Sequence, residues 1–159
     1  MAGVFLLPLQ LVLDRIVRGV AVRQPSLFAR LGRHCRSIYL IDPVNLPVVL
    51  VLAPDPQAPE LRVAWRGAMP RSDCRIAGGF LTLLALIDGR RDGDALFFSR
   101  DLTVEGDIDA VVTLRNALDD LDTTLVHDIV AAAGPLRLPL EGALRFLRSF
   151  DRPEVHNAG

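Results

Sequence analysis

FLTLLALIDGRRDGDALFFSRDLTVEGDIDAVVTLRNALDDLD, residues 80–122, sets the element order that the rest of the chain must fit. Phe80, Leu83, Leu84 and Ile87 share the spacing of one helical face, and Asp88-Gly89 supplies a stop. A charged turn then leads into a doubled phenylalanine, Phe97-Phe98. Leu102 to Glu105 alternates apolar and polar, as a half-buried strand does, until Gly106 breaks it. Asp107 stands where a helix N-cap is wanted, its carboxylate able to accept from N–H groups of the next turn. The predicted helix turns Ile108, Val111, Val112, Leu114, Leu118 and Leu121 inward and leaves Asp109, Arg115, Asp119 and Asp122 to water.

Upstream of this stretch the period is that of strands. Candidates are Ser37–Asp42, then Pro47–Ala53, a nearly continuous apolar run suited to a sheet covered on both faces. Asp55-Pro56 and Pro59 mark a turn, after which Leu61, Val63 and Trp65 alternate with Arg62, Ala64 and Arg66. Cys74–Ala77 makes a short fourth strand and Gly78-Gly79 the break before Phe80. Strands in succession, then helices, predict an α+β fold with a mixed sheet of about five strands and helices packed on one face.

Helices flank this block. Residues 8–22 carry a stripe of Leu9, Leu13, Ile16, Val17 and Val20, with Pro8 in the first turn and Arg15 and Arg18 on the other side. Pro25-Ser26 opens a second helix in which Leu27, Phe28 and Leu31 oppose Arg30 and Arg33. Beyond Asp122, Leu125–Ala133 ends at Gly134-Pro135. Pro139–Phe150 then sets Leu140, Leu144, Leu147 and Phe150 in register, with Arg145, Arg148 and Arg152 on another face. The chain divides into basic amphipathic helices at 1–36, a sheet-and-helix domain at 37–152 and a frayed tail at 153–159.

Half of the 159 residues are hydrophobic, and the mean hydropathy of +0.32 is high for a chain with 23% charged residues. Such a surplus fits a membrane protein, an oligomer, or a domain that wraps apolar cargo. No window holds 18 consecutive apolar residues, which argues against a membrane span. The apolar run at 4–13 lacks a basic flank and a cleavage site, so a secretory signal fits poorly. The expectation is a cytoplasmic protein with a sticky surface or a filled interior. Charge is uneven: residues 1–91 hold 12 Arg against 6 acids, and residues 92–159 hold 6 Arg against 13. Six arginines from Arg15 to Arg36, with Asp14 the only acid nearby, suit a helix pair lying on anionic lipid, though a solvated face is the plainer reading.

Catalytic signatures are missing. The chain has no G-x-S-x-G, H-E-x-x-H, P-loop or G-x-G-x-x-G. His34 and Cys35 are neighbours and point to different sides of a helix, a poor catalytic pair. Cys35 and Cys74 match no zinc spacing and read as two reduced structural thiols. Asp88, Asp92, Asp94, Asp101, Glu105, Asp107 and Asp109 crowd one stretch, yet lack the calcium-loop pattern; turns and caps explain several of them. No catalytic residue, cofactor or metal is assigned, and too few aromatics interleave with the arginines for nucleic acid.

The helix ending at Ile87, then DGRRDGDALFF, then LTVEGD, then a helix holding Arg115-Asn116-Ala117-Leu118, resembles the C-terminal half of sterol carrier protein type-2 lipid-binding domains. Within that family it is most similar to the UbiT-type accessory factors of ubiquinone biosynthesis, which show D-x-D-x-L-F-F followed by an E-G-D turn. Gly93 stands where that group usually has proline, and arginine stands where relatives often have lysine. The resemblance covers about forty residues. Earlier residues match only in element order.

Trp65, Phe80, Leu84, Ile87, Phe97, Phe98, Leu114 and Leu118 make a sizeable apolar volume. Sequence alone leaves open whether these side chains fill it or a lipid tail does. The resemblance implies a lipid cavity between sheet and helices, and a non-enzymatic carrier of ubiquinone or its prenylated precursors in oxygen-independent synthesis. It further implies phospholipid as an alternative cargo and iron–sulfur hydroxylating partners of the UbiU/UbiV type. Arg15, Arg18, Arg30, Arg33, Arg145 and Arg148 would then contact a headgroup or the inner membrane, peripherally. A non-catalytic docking or dimerisation module with a solid core, working as a homodimer, is the alternative.

Overall fold

Five short segments close into one sheet because each has an apolar side to bury. The computed structural model describes residues 2–80, 82, 83, 86 and 100–121, the first four of these as backbone. The strands are β1 (Tyr39–Pro43), β2 (Val48–Ala53), β3 (Glu60–Trp65), β4 (Cys74–Gly78) and β5 (Leu102–Gly106). Their order is β3-β2-β1-β4-β5. β1 and β4 pair in parallel and every other pair is antiparallel, so the sheet is mixed, as the sequence predicts.

Register decides which side chains share a face, because directly paired residues point the same way. Tyr39 pairs with Leu52 on one side and Cys74 on the other, and Ile41 pairs with Leu50 and Ile76. Leu50 pairs with Val63 and Val48 with Trp65, so Val63 and Trp65 join that face at the β3 edge. Ile76 pairs with Val104 and Gly78 with Leu102 at the opposite edge. The second face carries Leu40, Val49 and Val51, also buried, together with Asp42 and Arg75. Both faces of β2 are thus apolar, which explains the nearly unbroken run from Val48 to Ala53.

Three helices lie on the Tyr39 face among the described residues: α1 (Ala2–Arg23), α2 (Pro25–Leu31) and α3 (Ile108–Asp119). Helical backbone is also present at 80, 82, 83 and 86. α2 continues as a 3-10 turn over Gly32–Arg36 and packs along α3. Leu27 and Leu31 of α2 and Val111 and Leu114 of α3 bury together against Tyr39, Cys74, Ile76 and Leu102. The capping reading of the sequence holds: the Asp107 carboxylate accepts from the Ala110 N–H at 3.1 Å.

α1 differs from the sequence expectation. It begins at Ala2, so Pro8 lies inside the helix and leaves one backbone hydrogen bond unmade. α1 runs beside β3, the outer strand, with Leu13 and Val17 buried. Gln10 bonds that strand's open edge as a neighbouring strand would. Its Nε2 donates to the Leu61 carbonyl at 3.0 Å, and its Oε1 accepts from the Val63 N–H at 2.9 Å. The same amide nitrogen lies 2.8 Å from Asp14 Oδ1. Two such bonds stabilise the contact by roughly 1–3 kcal/mol in total and blunt an edge open to foreign strands. The helices expected at 125–133 and 139–150, and the tail, lie outside the described residues.

Candidate functional site

The apolar layer between the Tyr39 face and the helices is where a small-molecule site would form, since its lining carries few polar atoms. Its centre is buried, with Tyr39 at 0%, Leu31 at 1% and Val111 at 1% exposure. Its margins are not: Ile41, Leu52, Leu86, Val104, Leu118 and Leu121 are only partly buried where they pack against that centre.

Four of the eight residues expected to line a cavity are described, and of these Leu114 and Leu118 belong to this packed layer. Leu114 is buried in the centre and Leu118, one turn later, is at the margin. Trp65 shares the same sheet face at the β3 edge, half-buried. Phe80 opens the helical segment beside the β1–β2 turn, its N–H donating to Asn45 Oδ1 at 2.9 Å. Leu84, Ile87, Phe97 and Phe98 lie outside the described residues. Sequence reasoning did not list Tyr39, Ile41, Leu52 or Ile76 for the site. Their signal was the apolar content of β1, β2 and β4, which shows a shared face only once the register is known.

Of the six basic residues expected to meet a headgroup or membrane, Arg15, Arg18, Arg30 and Arg33 are exposed, and Arg145 and Arg148 lie outside the described residues. Two of the four have acid partners supplied from α3. Arg30 pairs with Asp120, and Arg33 Nη2 lies 2.9 Å from Asp109 Oδ2. His34 Nε2 lies 2.8 Å from the same Asp109 oxygen, and Gln24 Nε2 donates to the Asp120 carbonyl at 2.7 Å. The hydrogen bond from Arg33, and then that of His34, hold the Asp109 carboxyl below the usual carboxylate range. α2 is therefore clipped to both ends of α3, a pairing that spacing along the chain could not reveal.

Among the described residues, neither buried Tyr39 nor buried Cys74 is a reactive nucleophile. The Tyr39 hydroxyl donates to the His34 carbonyl at 3.2 Å, with the Ala110 carbonyl 3.4 Å away; burial above all pushes the phenol well above its ordinary value. Burial, reinforced by Asp107 and Asp73, pushes the Cys74 thiol up to about 11. Both groups stay neutral at physiological pH, and a thiol rather than a thiolate is a poor nucleophile.

On the second face a carboxylate is sealed among arginines. The Asp42 side chain has no exposed surface. Arg75 donates to its Oδ2 through Nε at 3.0 Å and Nη2 at 2.6 Å, and reaches Glu105 at 3.1 Å. The bonds to Asp42 raise the Arg75 guanidinium still further. Arg66 Nη1 lies 2.5 Å from Asp42 Oδ1, an ion contact without good hydrogen-bond alignment. Arg66 also donates to the Pro43 and Leu46 carbonyls, which fastens the β1–β2 turn to the end of β3. Within the described residues no three metal-ligating side chains gather, and no helix is long and apolar enough to cross a membrane.

A family described as the SCP-2 sterol transfer family matches residues 20–119. No curated protein matches. A solved structure described as "UbiJ-SCP2 Ubiquinone synthesis protein" is 20% identical, with a TM-score of 0.53 over 74% of this chain and 90% of that one. The sterol carrier protein domain 2 of Helicoverpa armigera is 16% identical, with a TM-score of 0.48 over 69% and 87%. Apo sterol carrier protein 2 from Yarrowia lipolytica is 14% identical, with a TM-score of 0.43 over 65% and 84%. At these identities the first likeness concerns the fold.

Proposed function

On the premise that the chain belongs to the SCP-2 sterol transfer family, we propose that it is a non-catalytic lipid-binding accessory protein. Its cargo enters the apolar layer between the Tyr39 face and the helices. The observation that carries this is the layer's partly buried margin, where Leu118, Ile41 and Leu52 remain incompletely covered by protein. A tail laid there gains about 25 cal/mol for each Å² of apolar surface removed from water. No cofactor or metal takes part.

We further infer that the cargo is ubiquinone or a prenylated precursor, presented to oxygen-independent hydroxylases of the UbiU/UbiV type, as for a UbiT-like factor. The LFF and EGD segments and their spacing support this, and the shared fold with a ubiquinone synthesis protein is compatible with it. In this proposal residues 37–152 hold the lipid, residues 1–36 bring it to the inner membrane through Arg15 and Arg18, and residues 153–159 are a tail. Native mass spectrometry of protein purified from its host, followed by solvent extraction, tests it. A co-purifying quinone or prenylphenol supports the full proposal, and phospholipid alone supports the lipid site without the quinone. A clean apo mass with no uptake of either lipid sinks the carrier role and leaves a docking module.

A further inference from the structure

α1 has two unlike faces. Leu13, Val17 and Val20 turn toward the protein, the first two buried and the third packed at the margin of the core. Leu7, Leu11, Arg15, Arg18 and Val22 fall within about 80° of one another on the opposite side at 3.6 residues per turn. Leu7, Leu11 and Val22 are 56%, 68% and 81% exposed. Arg15 and Arg18 have no acidic partner among the described residues, unlike Arg30 and Arg33. Exposed leucines mixed with unpaired guanidiniums match the interface of an anionic phospholipid bilayer, with tails for the leucines and headgroup phosphates for the arginines. A second copy of the helix fits this face badly, since arginine would meet arginine.

On its protein side α1 borders the apolar layer at β3, the strand bearing Val63 and Trp65. Gln10 ties it to the sheet by its side chain, through Leu61 and Val63. We propose that α1 is a side gate of the lipid site, latched by Gln10 and released when its outer face settles on an anionic bilayer. Release frees the β3 edge and opens the layer beside Trp65, so that a lipid tail passes between membrane and protein without crossing water. This regulation rests on the carrier role proposed above, but its test reads the latch separately.

Val63 supplies that readout. Its N–H points to Gln10, away from the sheet, whereas Ala64 pairs with Val49 inside the ladder. Amide exchange is measured by NMR on the full chain, alone and with vesicles of phosphatidylcholine, either pure or containing phosphatidylglycerol. With the anionic vesicles, Val63 exchange rises by about tenfold while Ala64 stays protected. Gln10→Ala shows the rise without vesicles and takes up a fluorescent phosphatidylethanolamine from neutral vesicles faster than wild type. The double variant Arg15→Ser/Arg18→Ser keeps Val63 protected even with anionic vesicles. Unchanged Val63 exchange on anionic vesicles overturns the gate, as does equal uptake by Gln10→Ala and wild type. If wild type takes up no lipid from any vesicle, the carrier role falls instead, and Val63 exchange still decides the latch.

Discussion

Asp42 is a charge placed where an apolar side chain would ordinarily sit, and its two arginines are what make it tolerable. Removing the carboxylate leaves both guanidiniums facing each other across a covered site. A fully buried pair broken in this way costs about 3–5 kcal/mol. Arg75 and Arg66 keep 24% and 34% of their side-chain surface, so water offsets part of the loss. Asp42→Asn is expected to destabilise by about 2–3 kcal/mol, read from the urea midpoint at constant m. Cys74 sets an alkaline limit. Its folded value of about 11 lies above the ordinary 9.0, so the unfolded chain loses this proton first as pH rises. The contribution is intact below about pH 9 and is lost as pH climbs toward 11, where stability should fall. Cys74→Ser, whose hydroxyl does not titrate there, should flatten that fall in urea melts from pH 8 to 11. At neutral pH iodoacetamide should label the half-buried Cys35 well before Cys74.

At the β5–α3 junction, Asp107 and Gly106 do different work. Asp107→Ala deletes one cap and should cost about 1 kcal/mol. Gly106 has φ +84, and a Cβ there would run into the Asp73 carbonyl oxygen, which is backbone and has little room to give. Gly106→Ala should therefore cost more than Asp107→Ala, about 1–3 kcal/mol and with backbone shifts in addition, as thermal unfolding of the two variants would show. This junction was legible in the sequence because a Gly-Asp pair before an amphipathic stripe has one local solution. So were all five strands, whose apolar runs and bounding turns are local properties. What stayed hidden was non-local. Gln10 reads as an ordinary helix residue until β3 is beside it, and Asp42 looks like a strand terminus until Arg66 and Arg75 converge on it. Arg30 and Arg33 read as free basic residues because their acids lie on α3. Pro8 misled for another reason: proline marks helix starts well, but a helix long enough on both sides absorbs one missing hydrogen bond.

For the molecule as a whole, carrier and solid core differ in how stability responds to lipid. Occupancy by a ligand at a hundred times its dissociation constant adds about 2.7 kcal/mol. For a chain of this size that is a rise of about 5–10 °C in Tm, expected with a prenyl quinone and absent for a solid core. Trp65, the single tryptophan, should report the same binding through its fluorescence. The pairing of α2 with α3 has a further consequence, in the order of manufacture. Gln24 and the Asp120 carbonyl it bonds are 96 residues apart. At about 5–20 residues per second, the ribosome delivers α3 roughly 5–20 s after α2. Throughout that interval Leu27 and Leu31 have no α3 to cover them. Until α3 emerges, a chaperone or the bilayer itself is what can shelter that apolar face.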